Sequence, residues 1–459
     1  MVWMNDTDQV VAFRKRLGKK RKLALVLAGG GITGVTYEIG ALQALDRFFC
    51  GDFSVNDFDI IIGLSAGAFV GSLLANDVTP SEMFFALGEQ AHTIDAINQR
   101  DIFYPNFSEV IARPLSFPLR LILSGIGDLL RWRELNPYAY MESLNEILPS
   151  GIFTNERIEA YLRKNLTQPG RTNDFRQLNK ELYIAATDLD TGRRIVFGTQ
   201  NHRDVPISKA VQASTALPLF YRPVEINGRE YIDGAIRKSL HIDVALKRGA
   251  DLVICINPLV PLNNDLRKRA IPLLGGMGDH LSQRGMSLVA YQVMRIMVHS
   301  RISSGLQKYR AQYPDVDILL IEPRANDYQM FFYNIMNYSA RLSIARHGYE
   351  ETLETLLRRF NHFKERLHKH GIEICRQGIQ SDLQKLRRLL PSSFDEIQHL
   401  LYPTHAHSRM AEELHRALDK LEQHLGFLSA EKQWASSSSR SEGSSRVGFS
   451  LPPWPSNRN

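Results

Sequence analysis

Gly63-Leu64-Ser65-Ala66-Gly67 is the stretch on which the fold turns. The apolar run Phe58-Asp59-Ile60-Ile61-Ile62 enters it, and Ala66-Gly67-Ala68-Phe69-Val70-Gly71-Ser72-Leu73-Leu74-Ala75 leaves it. This pattern predicts strand, sharp turn and helix with Ser65 at the apex, the geometry of a nucleophile elbow. An apex residue in strained backbone needs neighbours without bulk, and Gly63 and Gly67 supply them. Ser65 then stands at a helix N-terminus, where free N–H groups favour developing negative charge. G-x-S-x-G also arises by chance, so the pattern needs partners elsewhere in the chain.

The first partner lies upstream. Leu23-Ala24-Leu25-Val26-Leu27-Ala28 is a continuous apolar run, as expected of a parallel strand covered on both faces. Gly29-Gly30-Gly31-Ile32-Thr33-Gly34 follows, and then Val35, Ile39, Leu42, Leu45 and Phe49 fall at helical spacing. A glycine loop between strand and helix presents backbone N–H groups with no side chain in the way. Three uses compete for it: an oxyanion hole serving Ser65, a dinucleotide site, or a structural turn. Gly29, Gly31 and Gly34 match G-x-G-x-x-G. A dinucleotide site wants an acidic residue at the end of the next strand. Asp52 precedes that strand, which ends instead at the serine elbow.

Further along, Leu182-Tyr183-Ile184-Ala185-Ala186-Thr187 reads as a core strand, and Ile207 to Ala216 as a helix stopped before Pro218. Asn227-Gly228 between apolar alternations is a strong hairpin signal. It pairs Val224 and Ile226 with Tyr231 and its neighbours, and leaves Asp233 at a strand exit before Gly234-Ala235. Such a carboxylate suits a site, although a surface Asp in a turn reads the same way. A short helix at Ile242 to Lys247, a strand at Asp251 to Asn257, a long helix at Leu281 to Tyr309 and a strand at Val316 to Ile321 complete the alternation. Strand and helix alternating over residues 23–323 imply a parallel, helix-covered sheet.

Other stretches are less regular. Residues 100–150 are broken by prolines around Leu119-Arg120-Leu121-Ile122-Leu123 and Trp132, and read as an insertion: a lid, a membrane-contacting helix or an ordinary core helix. Tyr328 to Tyr338 is rich in aromatics, which either line an acyl pocket or pack. From Arg341 the pattern turns helical and basic, with a second amphipathic stretch at about 395–425. The Ser run from Ala435, with Pro452, Pro453 and Pro455, indicates a disordered tail.

Bulk properties set bounds. The chain has 459 residues, 44% hydrophobic and 23% charged, which is ordinary for a globular protein. A net charge of +7 is compatible with an anionic membrane or nucleic acid but demands neither. The basic cluster Arg14 to Lys22 before the first apolar run imitates a secretory signal, but that run is short and passes straight into the glycine loop. It reads as a buried strand behind a basic arm, solvated or touching lipid headgroups. Cys50, Cys255 and Cys375 are far apart and odd in number, so neither a disulfide nor a metal site is expected, and a reducing compartment is the default.

Glycine loop, serine elbow and Asp233-Gly234-Ala235 stand in one order. Together with Ala185-Ala186-Thr187-Asp188-Leu189-Asp190-Thr191-Gly192, Ala213-Ser214-Thr215-Ala216-Leu217-Pro218 and Asp243 to Asp251, the set resembles the patatin-like phospholipase family. The resemblance covers about residues 23–325. It implies an α/β three-layer fold with a mostly parallel central sheet, a serine acyl hydrolase, and a Ser–Asp dyad without histidine. Matched residue by residue, Ser65 becomes the nucleophile, Asp233 its partner, and Gly29, Gly30, Gly31 and Gly34 the oxyanion loop. Family members often carry Arg in the loop where this chain has Thr33. The expected organisation is a basic arm (1–22), a catalytic domain (23–330), a helical C-terminal region (331–432) and a tail (433–459).

The expectation is therefore a hydrolase of the phospholipase A or lysophospholipase type, with a lipid substrate. It would be cytoplasmic with peripheral contact at a membrane surface, with no nucleic-acid partner, cofactor or metal; the oligomeric state is not specified. A Ser-His-Asp esterase using His241 or His280 is the nearest rival. A silent lipid-binding scaffold is another.

Overall fold

The computed structural model describes residues 21–88, 93–109, 149–264, 280–333 and 335–388. The N-terminal arm up to residue 20, the Leu119 to Trp132 segment, the 395–425 stretch and the tail lie outside the described residues.

The strands are β1 (Leu23–Leu27), β2 (Ile60–Leu64), β3 (Tyr104–Pro105), β4 (Gly151–Thr154), β5 (Glu181–Asp188), β6 (Arg194–Phe197), β7 (Leu219–Tyr221), β8 (Val224–Ile226), β9 (Arg229–Asp233), β10 (Leu252–Ile256) and β11 (Asp317–Ile321). The main sheet runs in the order β11-β10-β1-β2-β5-β9-β8, with β6 also on β5. From β11 to β5 every pairing is parallel; β5 to β6, β5 to β9 and β8 to β9 are antiparallel. The sheet is thus mostly parallel, with an antiparallel margin beside β5. β3, β4 and β7 form a small separate sheet.

Every residue of β1, β2 and β10 is buried, which explains their unbroken apolar spelling. Alternate residues serve opposite faces. Leu25, Leu27 and Ile61 join one core with the Gly31–Phe48 helix. Ala24, Val26, Ile60 and Ile62 join another with Val244, Val298, Ile302 and Leu306, from the Ile242–Lys247 and Met286–Gln312 helices. The sheet is therefore the middle of three layers.

The Arg341–Arg358 helix packs on the same side as Gly31–Phe48, and its Tyr349, Leu353 and Leu356 are fully buried in that core. Phe48 meets Phe360 and Phe363 edge-on at 5.9 and 6.0 Å. The next backbone contacts overturn the expectation of unpaired cysteines. Phe49 bridges Ile374, Cys50 N–H donates to Glu373 O at 2.9 Å, and Cys375 N–H donates to Phe48 O at 3.0 Å. Cys50 and Cys375, 325 positions apart, are brought to a Cα separation of 5.7 Å and are disulfide-bonded. Sequence spacing cannot register a partner delivered by a second helical layer. Cys255 is free and buried in β10, as its apolar neighbours imply.

Candidate active site

Ser65 ends β2 and begins the Ala66–Leu74 helix, with φ 52° and ψ −116°. A left-handed φ at a non-glycine residue is strain, held by the surrounding fold. Its surroundings hold it from several sides. Ser65 N–H donates to Ser214 Oγ at 2.8 Å, and Ser214 Oγ donates to Ala185 O on β5 at 2.7 Å. Gly67 N–H donates to Ala28 O at 2.9 Å, tying the elbow to the end of β1. Here Gly67 is required: a Cβ would lie 2.5 Å from the Leu27 backbone.

The glycine loop meets the elbow because β1 and β2 are parallel neighbours, with Leu27 opposite Gly63. Both strands end on the same side of the sheet. Gly31 opens its helix at φ +60°, a conformation that suits a residue with no Cβ. The loop's amides divide into two sets. Ile32 and Thr33 N–H donate to Ile335 O at 2.8 and 3.3 Å, and Gly34 N–H donates to Gly30 O at 2.9 Å. The amides of Gly29, Gly30 and Gly31 have no acceptor among the described residues. Thr33, which stands where the family often has Arg, is fully buried and donates its hydroxyl to Gly30 O at 3.1 Å. Its side chain closes the loop and lines neither of the two cavities beside Ser65.

Asp233 arrives by the expected hairpin. Val224 is opposite Tyr231 and Ile226 opposite Arg229, and β9 then lies against β5 with Asp233 opposite Ala186. β5 is also the neighbour of β2, so β9 and the elbow share one strand as their common support. Asp233 is 1% exposed and Ser65 6%. Burial pushes the Asp233 carboxyl up to about 6, against hydrogen bonds from the Ser65 hydroxyl and Ala235 N–H, the latter at 2.8 Å to Oδ1.

Gly29, Gly30, Gly31, Ser65 and Asp233 all line one cavity of about 430 Å³, walled by Leu217, Ile335 and the Met286–Gln312 helix. A second, narrower cavity of about 80 Å³ shares Gly31, Ser65 and Leu217 with the first and continues into the core between Val35, Phe69, Tyr161 and Tyr338. Of the aromatic run, Met336 and Tyr338 line this second cavity, while Phe331 is packed. Ser65 therefore sits where two mostly apolar cavities meet, the first of which carries Asp233 and Arg301 in its lining. Sequence reasoning quoted Ser214 without assigning it a role. Its signal was there, a hydroxyl on a helix otherwise buried beside the elbow.

The candidate histidines sit elsewhere. His241 is buried against Arg194, whose Nη1 lies 3.2 Å from Nδ1, and burial plus that cation push its pKa down to about 3. Arg194 and Lys238 converge on Asp243, drawing its carboxylate well below the usual range. His280 is exposed, and neither histidine lines the Ser65 cavity. No grouping of His, Cys, Asp and Glu suited to a metal is found among the described residues.

Comparison with known proteins gives a family match over part of the chain. The description patatin-like phospholipase matches residues 25–246. The chain is 25% identical over 229 residues to a probable lipid hydrolase of Invertebrate iridescent virus 6, covering 49% of this chain and 63% of that protein. It is 27% identical over 248 residues to an uncharacterized NTE family protein of Mycobacterium tuberculosis, covering 54% of this chain and 51% of the relative. The chain thus spans about half to under two thirds of these relatives' lengths. Among solved structures it aligns with VipD from Legionella pneumophila at a TM-score of 0.27 and 14% identity, over 91% of this chain and 88% of that one. Glycine loop, strained serine and buried aspartate all fall inside the matched segment, and residues 25–246 of this chain are a patatin-like phospholipase domain.

Proposed function

We propose that this chain is a serine acyl hydrolase that cleaves carboxylic esters of lipids at a membrane surface, of the phospholipase A or lysophospholipase type, through a Ser65–Asp233 dyad. The observation that carries the reading is Ser65 at the junction of the two cavities, with the Asp233 carboxyl on one side and the free amides of Gly29, Gly30 and Gly31 on the other.

Each group has a role. The Ser65 hydroxyl attacks the ester carbonyl and passes its proton to Asp233. The carboxyl's raised pKa suits it to take and return that proton near neutral pH. Negative charge on the tetrahedral oxygen is taken up by the glycine amides, which have no other acceptor among the described residues. Collapse expels the alcohol, which takes the proton from Asp233. Water, deprotonated by the same carboxylate, then attacks the acyl carbonyl, and the acid leaves as Asp233 returns the proton to the Ser65 oxygen. The cavity that runs into the core takes the acyl chain, and the one lined by Asp233 and Arg301 takes the alcohol portion of the ester.

A panel of phospholipids, lysophospholipids and neutral glycerides, assayed with wild type and Ser65→Ala, tests the reading. Hydrolysis of at least one class by wild type, lost in the variant, is expected. Equal rates for both proteins would overturn it.

A further inference from the structure

The Met286–Gln312 helix has apolar residues on two opposite sides. Its inner side is fixed. Val298, Ile302 and Leu306 are buried, and fully buried Arg295 donates to Val260 O at 2.8 Å and Met330 O at 3.0 Å, beside the rings of Tyr291 and Phe331. These contacts set the rotation of the helix about its axis. Its outer side then presents Met286, Val289, Val293, Ile296 and Met297, which are 87%, 39%, 48%, 49% and 50% exposed. At 3.6 residues per turn the five fall within about a third of the circumference.

This stripe is continuous with the catalytic cavity. Val293 and Met297 line its wall, as does Ile236, itself 49% exposed and three residues beyond Asp233. Along the helix itself the charge has one sign. No Asp or Glu occurs between Gly285 and Gln312, whereas Arg301 lies on the cavity rim, donating to Ile236 O at 2.9 Å, and Arg237 is exposed beside it. An exposed apolar stripe flanked by cations matches an interface made of acyl chains beneath anionic headgroups.

We infer that the outer face of Met286–Gln312 docks on an anionic phospholipid bilayer and seats the mouth of the Ser65 cavity against it. The inference rests on the lipid-ester reading of that cavity. It gives the substrate a route: an ester leaves the bilayer between Ile236 and the helix without crossing water.

The test uses the full chain in a Ser65→Ala background, so that binding is read without hydrolysis. The outer-face variant is Met286→Glu/Val289→Glu/Ile296→Glu, none of whose positions lines the cavity. Vesicles of phosphatidylcholine alone, and of equimolar phosphatidylcholine and phosphatidylglycerol, are compared by flotation. The parent should bind the mixed vesicles at least about tenfold more tightly than the variant, and more tightly than neutral vesicles. The same triple change in the Ser65 enzyme should leave turnover of a soluble short-chain nitrophenyl ester within about twofold of wild type. Unchanged vesicle binding at an unchanged melting temperature would overturn the inference. So would a dimer, seen by light scattering, that the variant dissociates, since a second copy would then own the face. If the triple Glu variant fails to fold, the corresponding triple Ser variant decides by the same readouts. A wild type inactive on every ester yet binding mixed vesicles would overturn the catalytic reading and leave the docking face standing.

Discussion

Ser214, on the Ile207–Ser214 helix, accepts a hydrogen bond from the backbone N–H of Ser65 at 2.8 Å and donates its own hydroxyl to Ala185 O at 2.7 Å, linking helix, elbow and β5 in one chain of bonds. The strained apex is thereby held from outside its own turn. Ser214→Ala leaves a buried N–H unsatisfied, at a cost of about 1–3 kcal/mol. It should lower kcat by about tenfold or more with KM little changed, because the apex loses its fixed position rather than its cavity. Steady-state kinetics beside a thermal melt check this; an unchanged kcat would show that the bond is dispensable.

Asp233 couples activity to pH and stability in opposite senses. Its carboxyl, raised by burial to about 6, must be ionised to act as base, so kcat/KM should rise through about pH 6 and then level. For stability, the folded chain keeps a proton that the unfolded chain releases near 3.8, so stability from this group falls as pH rises from 3.8 to about 6. The shift corresponds to roughly 3 kcal/mol against the ionised form. Asp233→Asn should therefore melt higher than wild type at pH 7 while losing activity. A pH–rate profile and paired melts at pH 4 and pH 7 measure both, with the gap between the proteins closing at the lower pH.

His241 offers a contrast. With its pKa held near 3 and its cations turned to Asp243, it stays neutral and outside the Ser65 cavity. His241→Asn and His280→Ala should each keep activity within about tenfold of wild type. A loss of about 10³-fold at a preserved melting temperature would support a serine–histidine triad instead.

The disulfide carries a prediction of its own. Peptide mapping of unreduced protein should recover Cys50 linked to Cys375. Cys375→Ser should lower the melting temperature, since closing a loop of that length removes up to about 5 kcal/mol of unfolded-chain entropy. Recovery of both cysteines as free thiols would contradict the pairing.

What could be read from the sequence, and what could not, follows from range. The strand and helix bounds near residues 23–74 and 224–256 were legible because each is written locally: an unbroken apolar run for a strand buried on both faces, or Asn227-Gly228 for a hairpin. The antiparallel margin at β6, β8 and β9 was less so, since pairing partners on β5 are set by tertiary packing. The Cys50–Cys375 pairing was invisible for the same reason. The outer stripe of Met286–Gln312 was hidden differently. Apolar residues on both sides of a helix erase its periodicity, and only the structure separates the buried half from the exposed one.

The central claim is that Ser65 is an activated nucleophile whose proton goes to Asp233. Its most direct test is the rate of covalent labelling by a fluorophosphonate probe, with the adduct located by peptide mass spectrometry. The account predicts one adduct, on Ser65, absent in Ser65→Ala and formed at least about 10²-fold more slowly in Asp233→Asn. Labelling of Ser65 at an equal rate in Asp233→Asn, or an adduct on another residue in the wild type, would contradict it.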